Sequence, residues 1–143
     1  PHIVYCDKVD PTGDDAPRSF RMRQDAHSTA LGKSILSFKT KDEIKNIYKT
    51  YSLYKHTRNT ITSLDKLLLD LNKSRKSGFS INEAETFDYI HGIGSAILDS
   101  QGRAIAGISI SGTKSTINLK TIPDLSIKVM KTAKQISQRL INN

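Results

Sequence analysis

The first part of the chain alternates short apolar runs with turn-forming residues, a pattern typical of strands. Residues 2–9, HIVYCDKV, are rich in β-branched and aromatic side chains and predict a strand. Residues 10–17, DPTGDDAP, combine glycine, proline and aspartate and predict a loop. The alternation in SFRMR, residues 19–23, predicts a second short strand. We therefore expect the chain to open with two strands joined by a loop.

The middle of the chain changes to a helical period. Ser28 or Thr29 can cap a first helix, whose apolar positions are Leu31, Ile35 and Phe38. A capping box at residues 40–43, TKDE, opens a second helix with its apolar face at Ile44, Ile47, Tyr48 and Tyr51. In the third helix we expect Thr62 to cap against Asp65 and Gly78 to follow the last turn; its apolar stripe is Leu64, Leu67, Leu68 and Leu71.

The last third of the chain predicts a hairpin and a closing helix. Residues 93–112 contain two apolar runs around the turn sequence DSQG, which is a hairpin signal. Thr121, Pro123 and Asp124 can open a helix with a buried stripe at Leu125, Val129, Ala133, Ile136 and Leu140. Strands joined by a hairpin favour an antiparallel sheet, so the 143 residues are expected to form one α/β (α+β) domain with helices on the sheet.

Composition adds limits to this picture. The apolar runs are only a few residues long, as at Leu67–Leu69, so we expect no membrane span. A single cysteine, Cys6, cannot form an internal disulfide and favours the cytoplasm. The net charge of +8 is spread over several segments and forms no basic arm. We therefore expect no specific DNA binding by these residues themselves.

Residues 27–36, HSTALGKSIL, end in the Gly-Lys-Ser triplet of a phosphate-binding loop. That loop requires a glycine five positions before Gly32, where this chain has His27, so a nucleotide site is rejected. The first turn of a helix nevertheless has unpaired N–H groups and attracts anions. Ala30 and Leu31 could present such amides to a ligand, or Ser28 and Thr29 could simply cap the helix.

A second candidate site lies in AGISISG, residues 106–112. Because alternate residues of a strand share a face, Ser109 and Ser111 point one way and Ile108 and Ile110 the other. Gly107 leaves space on the serine face. Two hydroxyl groups in line suit a carboxylate or a polyol, and they also suit ordinary exposure to water.

Enzymatic chemistry finds little support. The four histidines show no metal-ligand spacing, and no serine lies in a Gly-x-Ser-x-Gly elbow. Glu83 and Glu85 are expected to form a solvated loop rather than an acid/base pair. We therefore expect no catalytic activity, no cofactor and no metal.

Four segments together resemble the effector-binding domain of the IclR family of bacterial transcriptional regulators. They are VYCDKVD at 4–10, HSTALGKSIL at 27–36, residues 57–85 and ISISG at 108–112, in the family's order and spacing. The resemblance implies a GAF-like antiparallel sheet flanked by helices and a homodimer or tetramer. It also implies DNA binding only through an N-terminal winged helix-turn-helix domain, which is absent here, and a start truncated by one helix and one strand.

The resemblance also implies which residues contact the effector. The amides of Ala30 and Leu31 and the hydroxyls of Ser109 and Ser111 take the family's contact positions, and Ile90 is assigned to the same cleft. Asn82 and Gly92 stand where glyoxylate- or pyruvate-sensing members have Asp and Cys. Both departures favour a bulkier ligand, such as a sugar acid or an aromatic acid. A GAF-like sensor module of another signalling protein or enzyme remains the alternative.

Overall fold

Five strands and four α-helices make up the described part of the chain, residues 1–9 and 22–142 of a computed structural model. Strands β1 (His2–Val4) and β2 (Arg23–Asp25) precede a 3-10 turn (Ala26–Ser28). Helices α1 (Ala30–Leu36), α2 (Lys41–Thr50) and α3 (Leu64–Ser77) follow. Strands β3 (Ser80–Glu83), β4 (His91–Leu98) and β5 (Ala104–Gly112) lead to α4 (Ile122–Ile141).

The strands form two antiparallel sheets, which confirms the predicted fold class. β1 pairs with β2, and the second sheet has the order β3-β4-β5. The first strand is shorter than predicted and ends at Val4; of SFRMR, Arg23 begins β2. The predicted loop at residues 10–17 lies outside the described residues.

Strand β3 was not predicted. Its sequence, SINE, buries the polar residues Ser80 and Asn82 rather than apolar ones, so it lacks the alternation that signals a strand. The predicted hairpin is confirmed: β4 and β5 pair from His91↔Gly112 to Leu98↔Ala104. Gly102 has a φ of +73° in the connecting turn, a conformation that favours glycine.

Side-chain caps define the starts of α1 and α2. The hydroxyl of Thr29 accepts a hydrogen bond from the amide of Gly32, so Thr29, not Ser28, caps α1. The capping box of α2 is present, with Thr40 and Glu43 bonded to each other's amides. The predicted cap at Thr62 is wrong, because α3 begins one residue later, with Ser63 as an N-cap that makes no side-chain bond.

The two faces of the larger sheet are covered by different helices. On one face Ile93 packs with Val129 of α4 and with Ile117, which precedes that helix. Ile108 and Ile110 pack against the same cluster. On the other face the backbone of α1 lies against β4. The apolar residues that join α1 to β1, α2 and α3 are Ile3, Ala26, Leu31, Leu36, Ile44, Leu67 and Leu71.

Helix α4 buries a line of mostly small residues that includes only part of the predicted stripe at Leu125, Val129, Ala133, Ile136 and Leu140. Val129 and Ala133 are buried as expected, but Leu140 is 52% exposed. The line continues through Ser137, whose hydroxyl accepts from the Leu98 amide at 2.9 Å, so Leu140 falls beyond the end of β4. Within residues 1–9 and 22–142, none of the helices has the length and apolar character that a membrane span requires.

Candidate functional site

The start of α1 is buried against the rest of the fold. Ala30 is 5% and Leu31 9% exposed. The amide of Gly32 is taken by Thr29 Oγ1 and that of Lys33 by the Thr29 carbonyl. The amides of Ala30 and Leu31 precede these bonds and have no acceptor within the helix. Because α1 has seven residues, any anion it binds would be held by these two groups more than by a long helix dipole.

The register of the larger sheet brings the predicted strand residues together. Ser111 lies opposite Gly92 and Ser109 opposite Gly94, and Gly92 in turn lies opposite Asn82. Directly opposed residues of an antiparallel pair project from the same face. The two serines therefore share a face with Gly92, Gly94 and Asn82, and Ile108 and Ile110 pack on the opposite face, as predicted.

Glycines on this face allow α1 to approach the sheet. A Cβ atom built on Gly94 would lie 2.5 Å from the Ala30 carbonyl oxygen and 2.9 Å from the Leu31 nitrogen. A Cβ atom on Gly107 would lie 2.8 Å from Leu31 Cδ1 and 3.3 Å from Ser34 Oγ. The helix start thus contacts the row of residues that carries the two serines.

The serine hydroxyls differ in exposure. Ser109 is half-buried and Ser111 is exposed. Neither hydroxyl has a hydrogen-bond partner among residues 1–9 and 22–142, so both are available as donors. Together with the Ala30 and Leu31 amides they form a set of uncharged donors at the junction of α1 and the sheet.

Three further predicted residues lie near this junction, and their surroundings restrict them: Asn82, Ile90 and Gly92. Asn82 is 5% exposed, and its Oδ1 accepts from the Glu85 amide at 2.7 Å, which leaves the NH2 group as donor. Ile90 is half-buried before β4, and its carbonyl accepts from the Ala84 amide. A Cβ atom built on Gly92 would lie 3.3 Å from the Ile110 carbonyl oxygen and 3.4 Å from Ala30 Cβ, and an enlarged cleft at Gly92 stays a prediction.

A buried ion pair beside the site was missed at the sequence level. Lys33 is 1% exposed, and its Nζ lies 2.6 Å from Glu85 Oε1. The same Nζ lies 3.0 Å from Asp70 Oδ2, outside hydrogen-bond geometry. The expectation of a solvated Glu83–Glu85 pair is therefore wrong for Glu85, which is 5% exposed, although Glu83 is exposed.

Burial and charge act in opposite directions on this pair. Burial raises the pKa of Glu85, and the adjacent Lys33 ammonium lowers it in part. The one sequence signal was a lysine among the small and apolar residues of HSTALGKSIL, where a solvent-facing cation is out of place. Because Lys33 is paired, it is not available to a ligand, and the Gly-Lys-Ser triplet has a structural role.

Comparison with known proteins gives one consistent family. The family described as "Bacterial transcriptional regulator IclR C-terminal" matches residues 1–138. The regulator KipR of Bacillus subtilis is 30% identical over 140 residues, 96% of this chain and 55% of KipR. KdgR of Escherichia coli is 33% identical over 115 residues, 76% of this chain and 42% of KdgR. The chain thus spans about half the length of these curated relatives.

Solved structures agree with the sequence comparison. The IclR protein of Thermotoga maritima superposes with a TM-score of 0.87 at 37% identity, covering 97% of this chain and 57% of that one. The C-terminal domain of Escherichia coli KdgR gives a TM-score of 0.87 at 28% identity, covering 97% and 80%. Both KipR and KdgR are named as transcriptional regulators, in agreement with the prediction of a non-enzymatic domain.

Proposed function

We propose that this chain, which belongs to the IclR family of bacterial transcriptional regulators, senses a small carboxylic acid. Binding of that acid would control DNA binding by the regulator to which the chain belongs. The match covers the family's C-terminal domain, which is the effector-binding domain. The ligand class, a sugar acid or an aromatic acid, is the finer part of the proposal. The match along residues 1–138 favours this function over a GAF-like module of an unrelated signalling protein.

The observation that carries the proposal is the set of donors on one sheet face. The hydroxyls of Ser109 and Ser111 project from the face against which the Ala30 and Leu31 amides pack. A carboxylate accepts stronger hydrogen bonds than a neutral group does, and it accepts at two oxygens. The Asn82 NH2 group adds a further donor on the same row. Donors without net charge also suit the hydroxyls of a sugar acid.

The response to the ligand would pass through α1. Its first turn contacts the ligand-facing row, and Lys33 joins it to the loop after β3 and to α3. If α1 can occupy two positions relative to the sheet, a ligand that binds more tightly to one of these conformations increases its population. DNA would be contacted by a winged helix-turn-helix domain N-terminal to the residues described, within a homodimer or tetramer.

The test is calorimetric titration of the chain with gluconate, 4-hydroxybenzoate and glyoxylate. We expect one of the two bulkier acids to bind, and Ser109→Ala/Ser111→Ala to weaken that acid. Each lost bond to a charged acceptor costs about 1.5–3 kcal/mol, which is about tenfold or more per serine.

The matched control replaces two exposed serines away from this face, Ser52→Ala/Ser100→Ala, and should leave the affinity unchanged. Undiminished affinity in a folded Ser109→Ala/Ser111→Ala variant would place the ligand elsewhere. Binding of glyoxylate with no response to either larger acid would reject the ligand class.

A further inference from the structure

Side chains from three separate segments meet at Asp25, the last residue of β2. His2 lies directly opposite Asp25 in the β1–β2 pair, with its Nε2 3.2 Å from Asp25 Oδ1. His56, in the connection between α2 and α3, places its Nε2 2.8 Å from Asp25 Oδ2. His27 follows in the 3-10 turn, and a ring nitrogen of His27, one of His56 and a carboxylate oxygen of Asp25 all lie within 4.8 Å of one another.

The two inner histidines are held in place by their surroundings. His27 is 1% exposed, and its Nε2 lies 3.0 Å from the Tyr54 carbonyl oxygen. Its ring stacks on that of His56 with 6.1 Å between centroids. The His56 amide donates to Thr60 Oγ1, which fixes the turn that carries this ring. A backbone carbonyl bonded to a histidine ring is a recurring support for metal-binding histidines.

We propose that Asp25, His27 and His56 bind a divalent transition-metal ion of the zinc type, with the fourth coordination position open to water. Imidazole nitrogens with one carboxylate oxygen are a ligand set that zinc prefers, at bond lengths of about 2.0–2.2 Å. Tetrahedral bonds of that length separate ligand atoms by about 3.3 Å; here His56 Nε2 and Asp25 Oδ2 are 2.8 Å apart, and the three ligand atoms lie within 4.8 Å of one another. Small side-chain rotations would therefore complete the site.

An ion can reach the cluster from solvent. His2, Asp25 and His56 line a surface depression of about 480 Å³, together with Thr86 and Phe87. His56 is 26% exposed, so its side chain can turn towards an entering ion while His27 stays fixed. The alternative is a hydrogen-bonded polar cluster in which Asp25 merely joins two histidines.

Zinc chloride alone is the probe. The chain is freed of metal with a chelator, carries Cys6→Ser to remove the exposed thiol, and is titrated by calorimetry near neutral pH. We expect one ion per chain and an affinity weaker by at least about tenfold in His56→Gln, since even loss of a supporting contact costs that much. The control is His91→Gln, the same substitution at a half-buried histidine outside the cluster, with unchanged affinity.

A second readout keeps the proposal testable if His56→Gln folds poorly. Cobalt(II) added to the Cys6→Ser chain should give the strong visible absorption of tetrahedral nitrogen and oxygen coordination, which zinc then abolishes by displacement. A polar cluster without metal affinity would show neither the heat of zinc binding nor this absorption, and the proposal would be overturned. Equal zinc affinity in folded His56→Gln and His91→Gln would overturn it as well.

Discussion

Replacing Lys33 by Met tests how far the buried ion pair fixes the position of α1. Met keeps most of the apolar stem of the lysine and removes the ammonium group. The side chain of Glu85, 6% exposed, then loses the cation 2.6 Å from its Oε1. Asp70 loses its contact as well; its side chain is 32% exposed, but the Oδ2 atom that faces Lys33 is buried and has no hydrogen-bond partner. Both carboxylates therefore lose their cation.

Removing one partner of a buried ion pair costs about 3–5 kcal/mol, because the other charge is left without compensation. The titration of Glu85 favours the lower end, about 3 kcal/mol. Burial already raises the pKa of Glu85, and loss of Lys33 removes the interaction that opposes this, so the carboxyl becomes neutral at a higher pH.

The sign of the pH dependence follows from that shift. The native chain binds the Glu85 proton more tightly than the unfolded chain, whose pKa is near the ordinary 4.5. The contribution of Glu85 to the free energy of unfolding is therefore full below 4.5 and falls as the pH rises through the native pKa. This decline should extend further in Lys33→Met, so the substitution should cost less at about pH 5 than at about pH 7.5.

Urea unfolding measures this cost directly. About 3 kcal/mol corresponds to a midpoint lower by about 1.5–2 M urea for a domain of this size. The exposed lysine of α3 gives the control Lys66→Met, which should stay within about 0.5 kcal/mol of the parent. Lys33→Met/Glu85→Gln should recover part of the loss, because Glu85 no longer carries an uncompensated charge, although Asp70 does. A cost under about 1 kcal/mol, or one that does not change with pH, would refute the reasoning.

Two further stability predictions concern single contacts and use the same unfolding measurement. Gly94→Ala should cost about 1–3 kcal/mol, because its Cβ would lie 2.5 Å from the Ala30 carbonyl oxygen. Gly92→Ala should cost less, since its nearest atom would lie at 3.3 Å. The reverse order would contradict the packing described. Thr40→Ala should cost about 1 kcal/mol by removing the cap of α2, whereas Thr62→Ala should be near neutral; equal effects would restore a capping role to Thr62.

Features set by neighbouring residues were predictable from the sequence. The Thr40–Glu43 capping box and the glycine after α3 depend on contacts within a few residues, and both are found. The shared face of Ser109 and Ser111 follows from the two-residue period of any strand. The family resemblance added the junction of these serines with the start of α1.

Features set by distant residues were not predictable in the same way. The Lys33–Glu85 contact joins residues 52 positions apart, and His56 reaches Asp25 across 31 positions. Neither spacing matches a local motif. Strand β3 escaped for a different reason, since it buries Ser80, whose hydroxyl bonds to the Ala30 carbonyl, and so has no apolar alternation. A buried polar residue of this kind can be identified only from the three-dimensional structure, which shows its hydrogen-bond partner.

The glycines beneath α1 have a consequence for engineering. Gly94 and Gly107 have no side chain, and α1 contacts them through its backbone and through Leu31. No smaller residue exists for either position, so the distance between helix and sheet cannot be reduced by substitution there. Ser109 and Ser111 stand on the same face without a role in that support. Substitutions at the two serines should therefore leave the distance between α1 and the sheet unchanged, whereas a larger residue at either glycine should change it.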